Sequence, residues 1–240
     1  MELVKPEQVG MSAERLARIS SHLNSQYIEP GKIAGCTTLV ARKGKICYLE
    51  ALGQADRERN TAMQDDTLVR MYSMTKPITS VAIMMLFEQG KLALTDPVHR
   101  FIPEFKKLRV YETGSYPAFM SSRPTRPMNV KDLLTHTSGL TYDFLRSTNV
   151  DYTYRKMKIA TWAEGDTNET LIEKLVQVPL EFNPGERWNY SVSTDVLGRV
   201  VEVVSGMPLR DYFEQSIFAP LGMTESGFEI DKDETNRFAA

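Results

Sequence analysis

Apolar residues recur three or four positions apart in four stretches of the chain, the spacing that places them on one face of an α-helix. The clearest stretch runs from Ser73 to Gln89, where Pro77 falls in the first turn and Gly90 provides the stop. Its apolar face comprises Ile78, Val81, Ala82, Met85 and Leu86. The pattern predicts a helix that begins at or near Ser73, and further helices over Met11–Asn24, Thr194–Ser205 and Leu209–Phe218.

Two short stretches rich in Val, Ile, Thr, Cys and Tyr, residues 34–40 and 45–51, lie on either side of Lys43-Gly44 and predict a β-hairpin. With that turn at the centre, Cys36 faces Ala51 and Cys47 faces Val40. The two sulfur atoms are then about four residues apart along the ladder, or about 13 Å. We therefore expect two free thiols and a reducing compartment.

Three segments lack a clear apolar period. Leu68–Tyr72 is predicted to be a short extended piece, and Ser115–Met128, rich in Pro, Ser and Arg, to be a surface loop. Arg146–Thr170 has few aliphatic residues and is interpreted as an irregular or loosely helical insertion, which either lines a substrate pocket or forms a solvated excursion. Residues 129–132 (Asn-Val-Lys-Asp) resemble a capping box, which predicts a short helix ending near Gly139.

The composition is that of an ordinary globular protein, with 42% apolar and 25% charged residues in a chain of 240. The net charge is −2, from 29 basic and 31 acidic side chains, so no basic excess indicates a nucleic-acid partner. The longest strongly apolar stretch, Val81–Phe87, is much shorter than the roughly 20 residues that span a bilayer. Residues 1–7 contain acids and a proline and no apolar core of a signal peptide. We expect a cytoplasmic protein with no membrane partner.

Most familiar catalytic motifs are absent, among them G-x-S-x-G, G-x-G-x-x-G, Walker A, H-E-x-x-H and C-x-x-C. The histidines His22, His99 and His136 lack metal-ligand spacing, and we expect structural roles for them, no metal and no cofactor. One motif remains, Ser73-Met74-Thr75-Lys76, an S-x-x-K sequence at the predicted start of a helix.

The spacing of S-x-x-K has a physical meaning. Residues i and i+3 lie on one helix face with Cβ atoms about 5–6 Å apart, so the Lys76 amine can reach the Ser73 hydroxyl. The positive partial charge at the helix start disfavours a second positive charge on Lys76, which could then act as a base. The Ser73 N–H, unpaired within the helix, could donate to a developing oxyanion. The alternative is a chance pattern, because a Ser cap followed by a Lys occurs in many helices.

Two further stretches make chance a poor explanation. They are residues 133–140 (Leu-Leu-Thr-His-Thr-Ser-Gly-Leu) and 184–191 (Pro-Gly-Glu-Arg-Trp-Asn-Tyr-Ser). Together with Ser73–Pro77 they resemble the serine β-lactamase-like and penicillin-binding-protein-like superfamily, in particular its family VIII carboxylesterases and class C-like branch. The resemblance extends from about Val9 to Met223.

The resemblance implies a role for each matching residue. Ser73 is similar to the acylated nucleophile, Lys76 to its partner, and Tyr190 to the tyrosine that opens the second motif of the family. A nearby ammonium would stabilise the Tyr190 phenolate, so either Lys76 or Tyr190 could take the serine proton, or the pair could share it. A pocket-wall tyrosine is the alternative for Tyr190. Trp188 is expected to pack inside, and His136 to make a structural hydrogen bond.

The sequence departs from the family pattern at two places. Val192 stands where penicillin-binding relatives have Asn, which favours an esterase-like pocket. The third motif, Lys-Thr-Gly or Trp-Gly-Gly, has no counterpart before Ala240. The implied fold is α+β, β-lactamase/transpeptidase-like, with an antiparallel sheet flanked by helices and a mainly helical region.

We expect residues 1–240 to form one such domain, or its N-terminal portion, with the C-terminal part of the fold missing. The hairpin and first helix would occupy 9–56, and the helical region with the active-site helix 68–223. Because a two-stranded sheet is marginal in water, a second chain could complete it.

The predicted function is that of a serine hydrolase that cleaves short-chain carboxylic esters through an acyl-enzyme on Ser73. β-Lactam hydrolysis and acyl transfer to an alcohol are alternatives within the same chemistry. A catalytically incomplete fragment or a binding module is the alternative of another class. The expected partner is a small-molecule ester, or a β-lactam.

Overall fold

The computed structural model of the chain describes residues 2–161, 163 and 165–240. These residues fall into two compact units. One contains the residues up to Met71 together with Gly227–Ala240, and the other is Tyr72–Ser226. Helices and antiparallel sheets both contribute, so the predicted α+β class is confirmed.

The first unit begins with a helix whose bounds match the prediction to within two residues. Helix α1 (Ala13–Leu23) follows a 3₁₀ turn at Pro6–Val9 and continues into a π-helical turn at Asn24–Ile28. The Ser12 hydroxyl caps α1 by accepting a hydrogen bond from the backbone N–H of Arg15. Its apolar face packs in a small core formed by Val9, Leu16, Cys47 and Tyr48.

Three antiparallel strands form the sheet of this unit, in the order β1 (Gly35–Arg42), β2 (Lys45–Asp56) and β3 (Thr61–Ala62). The predicted hairpin is β1–β2, and β3 makes the sheet three-stranded rather than two-stranded. Among the described residues, no strand pairs with the outer edge of β1. Leu68–Tyr72 contributes only a bridge from Leu68 to Phe238, which follows a 3₁₀ turn at Lys232–Arg237.

The predicted hairpin register is wrong by one residue beyond a bulge. Arg42 pairs with Lys45 as expected, but a register shift between Val40 and Ala41 leaves Cys47 without an opposite residue. Cys36 consequently pairs with Leu52 and Val40 with Tyr48. Both cysteines are free thiols, as predicted.

The second unit is mainly helical. Its α-helices are α2 (Thr75–Glu88), α3 (Val130–Leu134), α4 (Asn149–Lys156), α5 (Asn168–Leu175), α6 (Ser193–Ser205), α7 (Leu209–Phe213) and α8 (Ala219–Leu221). Short 3₁₀ turns lie at Tyr72–Met74, Val98–Arg100, Pro103–Lys107 and Asp143–Leu145, and a π-helical turn at Glu214–Phe218 joins α7 to α8. The predicted helices over 73–89, 194–205 and 209–218 are therefore confirmed. No helix within the described ranges is long and apolar enough to cross a membrane.

One large core holds this unit together, and helices α2 and α6 supply its centre. Ala82, Ile83 and Leu86 of α2 are fully buried, as are Val196, Leu197, Val200 and Val201 of α6. Complete burial of a Val or Leu side chain contributes about 1.5–3 kcal/mol. This packing fixes both helix starts, which lie close to Ser73 and Tyr190 in the chain.

Two segments differ from their predictions. Ser115–Met128 is not simply a loop, because residues 118–122 form β5 (Ala118–Ser122), which pairs antiparallel with β4 (Val110–Ser115). The insertion Arg146–Thr170 contains α4 and the start of α5, and α4 buries Val150 and Tyr154 in the core. The part of the insertion that forms α4 therefore packs against the core and is not a solvated excursion. Trp162 and Glu164, which the insertion also includes, lie outside the described residues.

Candidate active site

The S-x-x-K sequence lies at the entry to helix α2, but its serine is not α-helical. Ser73 is exposed in the 3₁₀ turn Tyr72–Met74, and the α-helix begins two residues later at Thr75. The chain turns sharply at Tyr72, whose φ of +44° lies near the left-handed region. Lys76 lies in the first α-helical turn and is half-buried. The Nζ atom of Lys76 donates to Ser73 Oγ over 3.3 Å, so the predicted contact across this spacing is present.

Tyr190 approaches the same serine from a distant part of the sequence. Its phenol oxygen lies 2.7 Å from Ser73 Oγ, and either atom can be the donor. Lys76 Nζ lies 4.7 Å from the centroid of the Tyr190 ring, within cation–π range. The structure thus brings the three predicted residues, Ser73, Lys76 and Tyr190, into one cluster.

Backbone hydrogen bonds between two loops fix the position of Tyr190. The Asn189 N–H donates to the His136 carbonyl over 2.8 Å, and the Gly185 N–H donates to the Thr137 carbonyl over 2.7 Å. The Asn189 side chain donates to the Leu140 carbonyl and to Glu181. The two segments that carried the family resemblance therefore hold each other in place, and Tyr190 lies in the second of them.

Aromatic rings surround Tyr190. The rings of His136 and Tyr142 each lie 5.1 Å from it, centroid to centroid, and Trp188 stacks on it at 6.4 Å. Tyr142 in turn stacks on Phe144 at 4.8 Å. Such contacts restrict the rotation of the phenol and place an apolar wall beside Ser73.

The charge of Lys76 changes the acidity of its neighbours. Burial raises the pKa of Tyr190, but hydrogen bonding to Lys76 and Ser73 and the lysine charge outweigh it, so the pKa is lower than that of an ordinary tyrosine. Burial and the Lys76 charge both lower the pKa of His136. The Lys76 charge therefore makes the Tyr190 phenol more acidic and disfavours the imidazolium form of His136.

Two residues near the cluster were not predicted. The Tyr142 hydroxyl donates a long hydrogen bond of 3.4 Å to Asp195 Oδ2, and Lys76 Nζ lies 5.6 Å from the Tyr142 ring. Burial raises the pKa of Asp195 to about 6, although the Lys76 charge opposes the rise. The available signal was an acidic residue in the first turn of a helix whose neighbours Val196 and Leu197 are apolar.

His136 makes a structural hydrogen bond, as expected, and this bond is the first in a run of three that passes through serine hydroxyls. Its Nδ1 lies 3.2 Å from Ser191 Oγ, Ser191 Oγ lies 2.7 Å from Ser193 Oγ, and Ser193 Oγ lies 2.7 Å from Ser138 Oγ. All three serines are fully buried. We call this run of hydroxyls the serine chain. It links the loop at 136–141 to the start of α6 beneath Tyr190.

A family model described as Beta-lactamase matches residues 22–240 of the chain. The chain belongs to this family. Esterase EstB of Burkholderia gladioli is 37% identical over 237 residues, which cover 98% of this chain and 56% of EstB. The uncharacterized protein MT1414 of Mycobacterium tuberculosis is 35% identical over 214 residues, 89% of this chain and 52% of that protein.

Solved structures agree with the sequence relatives. EstCE1, described as a hydrolase with promiscuous acyltransferase activity, matches with a TM-score of 0.80 and 32% identity, over 94% of this chain and 56% of that chain. The fold is therefore β-lactamase/transpeptidase-like, as the resemblance implied. The chain spans about half the length of the relatives it matches.

One expectation about this Beta-lactamase-family site needs correction. Trp188 does not pack inside: it stacks on Tyr190 while remaining 66% exposed, because its segment lies at the surface. Val192 does not line the cluster with its side chain, since it is fully buried in the core immediately before α6.

Proposed function

We propose that this chain carries the catalytic serine, lysine and tyrosine of a serine carboxylesterase that works through an acyl-enzyme on Ser73. The observation that supports this best is the position of Ser73 Oγ, within hydrogen-bonding distance of both Tyr190 Oη and Lys76 Nζ. A nucleophile bonded to a base that is oriented by a third group is the arrangement that covalent catalysis requires. The esterase relative EstB is consistent with it.

In the proposed reaction, Ser73 Oγ attacks the carbonyl carbon of the ester while its proton passes to Tyr190 Oη. The tetrahedral intermediate then expels the alcohol, which takes that proton as it leaves, and an acyl-serine remains. Deacylation uses the same groups. Water gives a proton to Tyr190 as it attacks the acyl carbon, and the carboxylic acid leaves as Tyr190 returns that proton to Ser73.

Tyr190 rather than Lys76 is our choice for the base. Burial raises the pKa of Tyr190, but hydrogen bonding to Lys76 and Ser73 together with the lysine charge outweighs burial, so the pKa lies below that of an ordinary tyrosine. An ammonium on Lys76 would stabilise the phenolate and would donate to Ser73 Oγ. Lys76 thereby acts as a positioning and electrostatic residue.

The oxyanion of the tetrahedral intermediate needs hydrogen-bond donors. We propose the Ser73 N–H as one donor, since it lies where a helix begins. A second donor would come from the strand that carries the third family motif. Loss of one donor typically costs about 10²–10³ in rate, so a site with the Ser73 N–H as its one donor would still acylate, but slowly.

Acyl transfer to an alcohol is the second candidate function. It needs the same acyl-serine and differs only in which hydroxyl compound attacks it. The structural relative EstCE1, a hydrolase with promiscuous acyltransferase activity, supports this candidate. Competition between methanol and water for the acyl-enzyme, read from the ratio of methyl ester to free acid, would measure it directly.

The test is intact-protein mass spectrometry before and after brief exposure to a serine-directed phosphonate. We expect one phosphonyl group on Ser73 and none in the Ser73→Ala variant. Ser80→Ala, a serine about two helical turns further along the chain in α2, is the matched control and should be labelled normally. Labelling that persists in Ser73→Ala would refute the assignment of the nucleophile.

Turnover of p-nitrophenyl acetate, butyrate and octanoate then distinguishes a complete esterase from a catalytically incomplete fragment. An esterase releases many equivalents of nitrophenol per chain, and a preference for acetate and butyrate would support short-chain specificity. Nitrophenol release that stops at one equivalent per chain would instead favour a catalytically incomplete fragment, which is acylated once and does not turn over.

A further inference from the structure

A cavity lies in the helical unit, away from the residues of the candidate active site. Its volume is about 440 Å³, within the size range that holds small organic ligands. It is bounded by the turns at Val98–Arg100 and Pro103–Lys107, by the segment after β5 and by Leu180 and Pro184. None of Ser73, Lys76, Tyr190, Tyr142 and Asp195 lines it.

The charge of the cavity wall is strongly one-sided. Five lysines and arginines contribute to it, and no aspartate or glutamate does: Lys106, Lys107, Arg109, Arg123 and Arg126. The whole chain, by contrast, has slightly more acidic than basic residues, 31 against 29. A concave surface lined by one sign of charge concentrates ions of the opposite sign.

Three of these cations are available to a ligand. Arg126 is already engaged, since its guanidinium holds the buried Asp132 with two bonds of 2.6 and 2.7 Å. Arg109 donates to the Ser121 carbonyl. Lys106, Lys107 and Arg123 are exposed, and none of the residues described in the structure forms an ion pair with them.

The floor of the cavity is apolar. Phe105, Leu108, Met128 and Leu180 contribute to it and are themselves almost fully buried, whereas the neighbouring Pro124 and Pro127 leave more apolar surface open to solvent. A ligand with an apolar body would remove its own hydrocarbon and the open part of this lining from water, which contributes roughly 25 cal/mol for each Å². A small inorganic anion would leave the floor uncovered.

We propose that this cavity is a second ligand site that binds an organic carboxylate with an apolar body, its carboxylate meeting Lys106, Lys107 and Arg123 and its hydrocarbon lying on Phe105, Leu108 and Met128. The proposal is independent of the proposed esterase function, because it uses none of the residues assigned to that function.

Isothermal titration calorimetry with octanoate tests the proposal. We expect binding of one equivalent outside the Ser73 cluster, with acetate and octanamide each binding about tenfold or more weakly, since one lacks the apolar body and the other the charge. Octanamide that binds as tightly as octanoate would refute the role of the cations. Inorganic phosphate that binds as tightly would refute the role of the floor.

Substitutions locate the bound octanoate. The triple variant Lys106→Gln, Lys107→Gln, Arg123→Gln should weaken octanoate binding about tenfold or more. The matched control Lys91→Gln, Lys156→Gln, Lys158→Gln removes the same charge from elsewhere in the unit and should leave it unchanged. Equal binding by both variants would overturn the proposal. Ester hydrolysis is measured in parallel: its loss with octanoate binding intact would count only against the proposed function.

Discussion

The phenol oxygen of Tyr190 lies 2.7 Å from the hydroxyl oxygen of Ser73, although 117 residues separate them in the chain. Lys76 reaches the same hydroxyl from within the serine's own motif. The contact with Tyr190 therefore depends on the packing of α2 against α6, whereas the contact with Lys76 depends on local helix geometry. Substitutions at the two positions should report on different parts of the proposed mechanism.

Tyr190→Phe should abolish most esterase activity without unfolding the protein. The change removes the proton acceptor but keeps the ring that contacts His136 and Tyr142. We expect kcat/KM for p-nitrophenyl butyrate to fall about 10²–10⁴-fold. Tyr152→Phe, an exposed tyrosine on α4, serves as the control and should retain activity. A loss of less than about tenfold in Tyr190→Phe would contradict the role of base.

His136 should titrate below its ordinary value of 6.5. Burial and the positive charge on Lys76 both disfavour the imidazolium, so removing one of them should raise the pKa of His136. We expect Lys76→Met to move the midpoint upward, measured by NMR on the imidazole resonances, with His136→Gln identifying the signal. A midpoint that stays in place would mean that burial alone sets it.

Asp195→Asn should stabilise the protein at pH 8 and much less at pH 4. The folded pKa of Asp195 is about 6 against an ordinary 3.8, so the folded protein holds a proton there that the unfolded chain has lost. The contribution of Asp195 to the free energy of unfolding therefore falls as the pH rises from 3.8 to about 6, and above that range the buried carboxylate destabilises the folded protein. After allowance for partial exposure, we expect a gain of about 2 kcal/mol at pH 8.

Urea unfolding of the native protein and Asp195→Asn at the two pH values measures this difference. The expected sign is opposite to that of a carboxylate in a salt bridge. A variant that is less stable than the native protein at pH 8 would show that the Asp195 charge is stabilising.

Gly139→Ala should destabilise the protein far more than Gly206→Ala. Both glycines have positive φ, +87° and +72°, which costs an alanine about 1 kcal/mol or slightly more. At Gly139 an added Cβ would also lie 2.4 Å from the Phe182 carbonyl oxygen, whereas at Gly206 nothing lies within 4 Å. We expect losses of about 3 kcal/mol or more and about 1 kcal/mol, respectively, in thermal or urea unfolding. Similar losses would mean that the loop at 139 relaxes freely.

Local chemistry made the helices and their caps predictable. The apolar stripes of α1, α2 and α6 gave bounds within about two residues of the structure, and the capping box of Asn129 and Asp132 forms as its spacing indicates. Helices α4 and α5 also have capping boxes, at Thr148 and Thr167, but their short cores contain too few aliphatic residues for a clear period.

What could not be predicted depends on contacts between distant residues. The bulge opposite Val40 and the pairing of β4 with β5 leave no mark in hydrophobic spacing, because both strands of the second hairpin are short and neither alternates regularly between apolar and polar residues. In the site, the motifs located Ser73, Lys76 and Tyr190. The position of Asp195 beside Tyr142 arises only when α6 packs against the loop at 140–144, so no spacing rule could supply it.

The serine chain beneath Tyr190 has a direction as well as a position. The Leu140 N–H donates to Ser138 Oγ at its inner end. If Ser138 then donates to Ser193, Ser193 to Ser191 and Ser191 to His136, every hydroxyl hydrogen has an acceptor, and His136 Nδ1 accepts the last one. The imidazole proton then resides on Nε2. With the hydroxyls in this orientation, three neutral side chains and a backbone amide set the tautomer of a ring that contacts the proposed catalytic tyrosine.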